Sequence, residues 1–324
     1  MTYQSPVQAN DFHPDTQAYF AGACVAVTGG SGFVGSHVVE QLLALGARVI
    51  VPSRQAPSPP FLAHLSDRID VRPCDFQHRS HARPSIDGAD VVMNLAASVA
   101  GIEYNATHPE TVFRDNMRTF LNVMEAALQV QARRFLVVSS ACIYPRHCLV
   151  PTPETEGFLD SPEPTNAGYG WAKRMEEYVA AAAVKEHGLE VAIARPYNAY
   201  GPRDNFNPVS SHVLPALILK ADETTDGTLP VWGDGTPTRS FLYVDDFARG
   251  LIEVTARYAA ADPINIGASE EVSIGTVAAM VAEIVGRRRG TAITPTFMPT
   301  SLTGQPRRDC DTTKLVSALG FQPN

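Results

Sequence analysis

Short apolar runs alternate with stretches of helical period through the first two thirds of the chain. "CVAVTG" precedes the amphipathic "SHVVEQLLALG", and the runs "RVIVPS", "IDVRP", "DVVMNLA", "RFLVVSS" and "EVAIARP" follow in turn. Strands of four to six residues that are apolar nearly throughout are typical of a parallel sheet buried on both faces. The pattern therefore predicts an α/β fold with a doubly wound parallel sheet of the Rossmann type.

The pattern changes at both ends of this region. Residues 1–20 show no sustained period and contain two prolines, which predicts an N-terminal arm. After Pro196 the chain becomes rich in loop signals, as in "GPRDNFNP" and "VWGDGTPTRS". We expect a dinucleotide-binding domain over residues 21–196 plus about 243–267, and a smaller, interleaved substrate-binding domain over residues 197–242 and 268–324.

Composition narrows the class of function. The chain has 324 residues, of which 44% are hydrophobic and 19% charged, and its formal net charge of −8 argues against a broad nucleic-acid surface. Its apolar runs fall short of the ~20 residues that a membrane span needs. The five cysteines are scattered, without the spacing of a metal site or a disulfide framework. We therefore expect a cytoplasmic enzyme with no nucleic acid, membrane or metal as a partner.

A glycine-rich segment lies between the first predicted strand and helix. In "VAVTGGSGFVGSHVVEQLL", Gly29, Gly32 and Gly35 recur every three residues, and Phe33 and Val34 stand among them. Glycine at these positions lets a pyrophosphate reach the backbone N–H groups at the helix N-terminus. This segment predicts a dinucleotide site.

The end of the second strand bears on which dinucleotide binds. It reads "VIVPSRQ", so Ser53 and Arg54 offer a hydroxyl and a cation where an NAD site would have a carboxylate. NADP(H) is therefore favoured, and NAD stays possible. Further cofactor contacts are expected from Asp75, Phe76, Leu95, Ala96 and Ala97.

A tyrosine and a lysine in "YGWAK" are candidate catalytic residues. Tyr169 and Lys173 are four apart and lie on one face of a predicted helix. We expect the ammonium to lower the pKa of Tyr169 from its usual value of ~10 towards the range of a general acid or base. Ser140, at the end of a predicted strand, would complete the group by hydrogen-bonding the reacting oxygen.

With these motifs the chain resembles the extended short-chain dehydrogenase/reductase family from about Cys24 to Phe321. Within that family, "SSACIYP", "GYGWAKR", "YGPRDNFNPVSSHVLPALILK" and "VWGDGTPTRSFLYVDD" are similar to segments of the GDP-L-fucose synthases. The resemblance implies a homodimer that epimerises a GDP-4-keto-6-deoxysugar at C3 and C5 and then reduces C4 with NADPH.

The same resemblance assigns roles to further residues. It implies that Cys142 and His212 are the acid/base pair of the epimerisations, and thiol and imidazole both titrate near neutrality. It also implies that Arg239 and Arg307 are diphosphate ligands, a task that suits the planar guanidinium fork. The implied substrate contacts are Asn198, His212, Val213, Trp232, Arg239 and Arg307.

Other functions stay open. "SSACIYP" and "WGDGTPTRSF" are equally similar to segments of GDP-mannose 3,5-epimerases, which implies a nucleotide-sugar epimerase, possible also at C4, that recycles a tightly bound NAD(P). A catalytically silent dinucleotide-binding protein is the third hypothesis. Dehydration is disfavoured, because Ala141 and Cys142 stand where the family's 4,6-dehydratases have an Asp-Glu pair.

Overall fold

A computed structural model of the protein describes residues 3–99, 101–208, 210–300 and 304–323. None of the helices in these ranges combines the length and apolar character that crossing a bilayer requires. The α-helices are α1 (Pro14–Phe20), α2 (Phe33–Ala44), α3 (Arg79–Ser85), α4 (Ile102–Thr107), α5 (Pro109–Gln129), α6 (Ala167–His187), α7 (Val213–Glu223), α8 (Val244–Arg257), α9 (Ile274–Arg289) and α10 (Thr313–Leu319). The β-strands are β1 (Cys24–Thr28), β2 (Arg48–Ser53), β3 (Ile69–Pro73), β4 (Val91–Asn94), β5 (Arg134–Val138), β6 (Glu190–Pro196), β7 (Asn198–Tyr200), β8 (Thr228–Trp232), β9 (Thr238–Tyr243), β10 (Ile264–Ile266), β11 (Glu271–Ser273), β12 (Thr294–Met298) and β13 (Arg307–Arg308).

Seven parallel strands form the main sheet in the order β10-β6-β5-β4-β1-β2-β3. The inner strand β1 is buried along its whole length, and its Val25 pairs with Val49 of β2 and Val91 of β4. Two hydrophobic clusters cover the two faces. One is built with side chains of α1, α2, α8 and α10, and the other with side chains of α3, α5 and α6. The predicted doubly wound fold is confirmed.

A smaller region follows the sixth strand of the sheet. Helices α7 and α9 pack together over the two parallel strands β8 and β12, around buried residues such as Leu217, Leu229 and Val281. A further small sheet has β9 paired with β7, β11 and β13. Strand β9 runs directly into α8, which packs on the main sheet, so the two regions are joined without a linker. The domain boundaries given above stay predictions.

The N-terminal arm is held by hydrogen bonds as well as by packing. The backbone N–H of His13 donates to Glu253 Oε1 at 2.8 Å, and Thr16 Oγ1 donates to Glu253 Oε2 at 2.6 Å. The N–H of Ser5 donates to Glu40 Oε2 at 2.8 Å. The arm is thereby fastened to α8 and α2.

Candidate active site

The turn between β1 and α2 forms a cradle at the carboxyl edge of the sheet. Gly29 has φ of +69°, and a Cβ at this position would lie 2.9 Å from the carbonyl carbon of Leu95. This close approach and the positive φ explain why the position is a glycine. Helix α2 then begins after Gly32, with Phe33, Val34 and Gly35 in its first turn.

The end of β4 completes this cradle. Thr28 Oγ1 donates to Asn94 Oδ1 at 2.6 Å, and the N–H of Ala96 donates to Thr28 Oγ1 at 3.2 Å. Asn94 Nδ2 is buried and has no partner within the described residues. Bare backbone at the turn, a helix N-terminus and an unused amide donor fit a phosphate-containing ligand such as a dinucleotide. Leu95, Ala96 and Ala97 border it as half-buried residues.

Polar side chains lie at the end of β2, beside the same turn. Ser53 Oγ donates to Ser31 Oγ at 3.0 Å and accepts from the N–H of Gln55 at 3.0 Å. Arg54 is exposed. Ser31, which sequence reasoning did not single out, thus adds a second hydroxyl next to Ser53.

Asp75 and Phe76, two of the expected cofactor contacts, lie beyond β3. Asp75 Oδ1 accepts from the N–H of Gln77 at 3.0 Å, and this carboxylate is half-buried. Phe76 is buried, and its carbonyl accepts from Asn122 Nδ2 of α5 at 2.7 Å. Both residues are therefore held in place by neighbours at the cradle's outer end.

The strand-end serine organises the turn that carries Cys142. Ser140 Oγ accepts from the N–H of Cys142 at 3.1 Å and so caps the short 3₁₀ turn Ala141–Ile143. Helix α6 approaches this turn closely, because a Cβ on Gly170 would lie only 2.5 Å from the carbonyl oxygen of Cys142. The approach brings Tyr169, the neighbour of Gly170, close enough to Ser140 for the serine to act on the pKa of the phenol.

Tyr169 and Lys173 meet on α6 as predicted, but the effect on the tyrosine differs from the prediction. Lys173 Nζ lies 5.6 Å from the centre of the Tyr169 ring and donates to Val138 O and Glu176 Oε2, both at 2.9 Å. Burial raises the pKa of Tyr169 to about 12, although Lys173 and Ser140 both act to lower it. The expectation of a lowered pKa is wrong here, because desolvation of the phenolate outweighs the nearby ammonium.

An arginine that sequence reasoning missed faces the thiol. Arg308 Nη1 donates to Cys142 Sγ at 3.7 Å. Its Nε donates to Gln305 Oε1 at 2.7 Å, and Gln305 Nε2 in turn donates to Pro145 O at 2.6 Å. A chain of hydrogen bonds therefore fixes the guanidinium against the half-buried sulfur.

A second guanidinium stands beside the first. Arg239 of β9 is the register partner of Arg308 of β13. Arg239 Nη1 donates to Thr238 O at 2.7 Å and to Gln305 O at 2.9 Å. Burial, and next the charge of Arg308, lower the pKa of Arg239 to about 10. Two adjacent cations with few counter-charges form a place where an anion would be stabilised.

Arg307 is placed differently from its neighbour. Its Nη2 lies 2.6 Å from Glu271 Oε2, and the side chain is 56% exposed. Successive side chains of a strand point to opposite faces, so Arg307 turns away from the face on which Arg308 meets Cys142. The structure therefore does not bring Arg307, expected above as a diphosphate ligand, into the cleft.

His212 lies at the start of α7 and borders the same cleft. The residue is exposed to solvent, and desolvation by the surrounding protein lowers the pKa of its imidazole. Asp204 acts in the opposite direction, and Arg308 lowers the pKa further. His212 is thus neutral at neutral pH, and Arg308 acts on both it and Cys142.

Asp204 is a buried carboxylate in the loop before His212. Its Oδ1 accepts from the N–H of Asn205 at 2.7 Å, and its Oδ2 has no partner within the described residues. Burial raises the pKa of Asp204, and His212 lowers it. The carboxylate and the imidazole therefore stabilise each other's charged forms.

The remaining predicted substrate contacts are more dispersed. Asn198 Nδ2 donates to Ser240 O at 2.8 Å, which places the amide between β7 and β9. Val213 is half-buried and packs against the α7/α9 core. Trp232 is 56% exposed, with Lys220 Nζ 5.0 Å from its ring. All three residues belong to the small region, where they lie in β7, α7 and β8.

A buried cluster holds the loop that leads to His212. His37 of α2 is hydrogen-bonded through Nδ1 to Asp245 Oδ1 at 2.8 Å and through Nε2 to Pro202 O at 3.1 Å. Arg203, the next residue, donates to Glu40 Oε1 and to Tyr3 O, both at 2.6 Å. The cofactor-side helix and the N-terminal arm therefore both grip this loop.

Comparison with known proteins adds to this geometry. The model of the NAD dependent epimerase/dehydratase family matches residues 25–267. A GDP-L-fucose synthase from Sinorhizobium fredii is 35% identical over 93% of this chain and 91% of its own length. A dTDP-4-dehydro-6-deoxy-D-allose reductase from Streptomyces bikiniensis is 31% identical over 94% of this chain and 93% of its own.

Among solved structures, an epimerase from Methanothermobacter thermautotrophicus superposes with a TM-score of 0.84 at 24% identity, covering 96% of this chain and 92% of that one. A likeness at this identity supports the fold. The family match extends over the cradle, the Ser140 turn, Tyr169, Lys173 and His212. The chain therefore belongs to the NAD dependent epimerase/dehydratase family, within the extended short-chain dehydrogenases/reductases.

Proposed function

We propose that this enzyme is an NADP(H)-dependent epimerase/reductase acting on a GDP-4-keto-6-deoxysugar, as the similarity to GDP-L-fucose synthases implies. The observation that carries the proposal is the position of Arg308, which contacts Cys142 Sγ and acts on His212. A thiol and an imidazole that share one cation, next to Tyr169, form a site with two proton-transfer groups besides the reductase centre.

The cradle would hold the cofactor. The turn Gly29–Gly32 and the N-terminus of α2 would bind the pyrophosphate, and Asp75 would meet the adenine. Ser31, Ser53 and Arg54 suit the 2′-phosphate of NADP(H), because they offer two hydroxyls and a cation and no carboxylate. When bound, the dinucleotide supplies the hydride that reduces the sugar ketone.

Tyr169 is the proposed proton donor to the sugar O4. With a pKa of about 12, it carries its proton at neutral pH, and this is the form that reduction of a ketone needs. Ser140 would hydrogen-bond the same oxygen, and Lys173 would stabilise the phenolate that remains. Reduction thus draws on residues already joined by contacts.

Epimerisation needs a base and a proton donor on opposite sides of the sugar ring. We assign these tasks to Cys142 and His212, with Tyr169 and Ser140 stabilising the enolate oxygen. Arg239, with Arg308 beside it, is the proposed diphosphate ligand in place of Arg307. Asn198, Val213 and Trp232 are the proposed contacts to the rest of the nucleotide sugar.

One reaction tests the proposal. The protein is incubated with GDP-4-keto-6-deoxy-D-mannose and NADPH in heavy water. We expect loss of NADPH absorbance equal to the product formed, with deuterium at C3 and C5 of that product. Epimerised product without net NADPH loss would indicate a redox-neutral epimerase instead. Reduction without deuterium would indicate a simple 4-keto reductase, and cofactor binding without turnover would indicate a silent binding protein.

We also propose a homodimer formed through α5 and α6. These helices expose apolar side chains that the chain itself does not cover, including Phe113, Leu121, Trp171 and Tyr178. Leu121→Glu should convert the dimer to monomer in sedimentation experiments. Ile284→Glu, at a 62% exposed position on α9, is the matched control and should leave the dimer intact.

We place the enzyme in the cytoplasm, which agrees with five free cysteines.

A further inference from the structure

A buried carboxylate lies directly behind the catalytic lysine. Glu176 is three residues after Lys173 on α6, and its Oε2 is 2.9 Å from Lys173 Nζ. The side chains of both residues are at most 3% exposed. Because residues at i and i+3 share a helix face, the pair is fixed by the helix itself. No part of the mechanism above uses this carboxylate.

The other charged groups around this pair are engaged elsewhere. Glu177, the next residue, is bound by Arg195 of β6 at 2.9 and 2.8 Å and by the Ser139 hydroxyl. Its charge raises the pKa of both Glu176 and Lys173. Cys142 and Ser140, from the turn after β5, also act on the pKa of Tyr169, the former raising it and the latter lowering it. Glu176 is therefore the carboxylate in direct contact with the ammonium.

We propose that Glu176 is a positioning residue that keeps Tyr169 in the neutral phenol form by partly cancelling the charge of Lys173. The proposal rests on the proposed reductase function, and it gives the centre a preferred direction. An enzyme that begins by taking a proton from a sugar hydroxyl gains from a phenolate. An enzyme that ends by giving a proton to a sugar alkoxide gains from a phenol.

Electrostatics support this assignment. Lys173 favours the phenolate of Tyr169, whereas Glu176 opposes it and contributes to the raised pKa of the tyrosine. Burial raises the pKa of Glu176 itself to about 7, with Lys173 acting to lower it. The carboxylate is thus charged above neutral pH, where it opposes the loss of a proton from the Tyr169–Lys173 pair.

Glu176→Gln tests the proposal, because it removes the charge and keeps the shape. We expect the alkaline ionisation of the Tyr169–Lys173 pair to move down by about one pH unit or more. Tyrosine labelled with ¹³C at Cζ reports it by NMR without any substrate, and Tyr169→Phe assigns the signal. Glu186→Gln is the matched control on the same helix, where the side chain is 74% exposed, and should leave the midpoint unchanged.

Conservative replacement and kinetics complete the test. Glu176→Asp keeps the charge and should return the midpoint of the Tyr169–Lys173 ionisation most of the way to its wild-type value. In the glutamine variant, kcat for NADPH oxidation should fall at a lower pH than in the wild type, with KM for the nucleotide sugar unchanged. If the glutamine variant does not fold, Glu176→Met gives the same comparison.

An unchanged Tyr169 midpoint in the uncharged variants, or an equal shift in Glu186→Gln, would overturn the role of Glu176. Failure of the wild type to consume NADPH with the GDP-sugar would overturn the proposed function instead. The NMR midpoint does not depend on turnover, so the two failures are distinguishable.

Discussion

Arg308 Nη1 lies 3.7 Å from Cys142 Sγ, in position to donate to the sulfur. The same guanidinium is one of the charges that lower the pKa of His212. The positive charge of Arg308 favours the neutral imidazole of His212, which is the form that can accept a proton. Arg308 therefore contacts one of the two proposed proton-transfer groups and acts on the charge of the other, which makes the arginine a target for mutation in its own right.

Cys142→Ser should separate the two proposed half-reactions. We expect deuterium incorporation at C3 and C5 to fall by at least about 100-fold, since general acid/base groups contribute factors of this size. Reduction of a ketone that is already epimerised should continue at a similar rate. Cys148→Ser, another half-buried thiol in the same loop, is the control and should keep both activities. Equal loss of both activities in Cys142→Ser would contradict separate roles.

The titration of His212 should respond to its two charged neighbours in opposite directions. Its folded-state pKa is lowered by burial, so NMR of the imidazole should give a midpoint below the usual 6.5. Asp204→Asn removes a charge that raises the pKa and should move the midpoint further down. Arg308→Gln removes a charge that lowers the pKa and should move it up. A shift of the same sign in both variants would contradict the placement of these groups around the imidazole.

The two neighbouring arginines of β13 should differ in their effect on GDP binding. Arg308→Gln should weaken GDP affinity about 10-fold or more in calorimetry, the usual effect of losing a hydrogen bond to a charged group. Arg307→Gln should change it by less than about twofold, because Arg307 is paired with Glu271 outside the cleft. Similar losses in the two variants would restore Arg307 as a ligand.

Cofactor preference should depend on Arg54. Arg54→Ala should raise KM for NADPH about 10-fold and leave KM for NADH nearly unchanged, because only NADPH carries the 2′-phosphate. Arg48, exposed at the other end of β2, gives the matched control Arg48→Ala. If Arg54→Ala affects the two cofactors equally, the arginine does not meet the 2′-phosphate.

The ion pair between Arg203 and Glu40 should matter for stability. The guanidinium and carboxylate are 2.6 Å apart, and their side chains are 5% and 8% exposed. Arg203→Met leaves Glu40 without this partner in a buried site, and we expect a loss of about 3 kcal/mol in the free energy of unfolding by urea. Arg287→Met, which breaks an exposed pair with Glu283, should cost less than about 1 kcal/mol.

The fold could be predicted from sequence because its strands are covered on both faces. Val25, Val91 and Leu136 lie in runs that are apolar throughout, and such runs interrupted by helices have few alternatives to a parallel sheet. The catalytic serine, tyrosine and lysine could be named for a related reason. Their positions follow from a strand end and from helical spacing, both of which are local.

The rest of the site depends on contacts between distant segments. Two arginines in sequence, at 307 and 308, give no sign of which one faces inward, because a two-residue strand has no pattern of alternation. The raised pKa of Tyr169 follows from burial, which no spacing reports. Glu176 was within reach of sequence reasoning, since it lies three residues after Lys173 and so on the same helix face.

His37 is a residue of α2, and its imidazole links this helix to two other segments. One ring nitrogen is hydrogen-bonded to the carbonyl oxygen of Pro202 and the other to the carboxylate of Asp245. Pro202 O can only accept, so Nε2 must carry a hydrogen for this link to exist. Seating a dinucleotide on the N-terminus of α2 would therefore stiffen the segment that ends at His212. Steady-state kinetics should then show a compulsory order, with the dinucleotide entering first and leaving last.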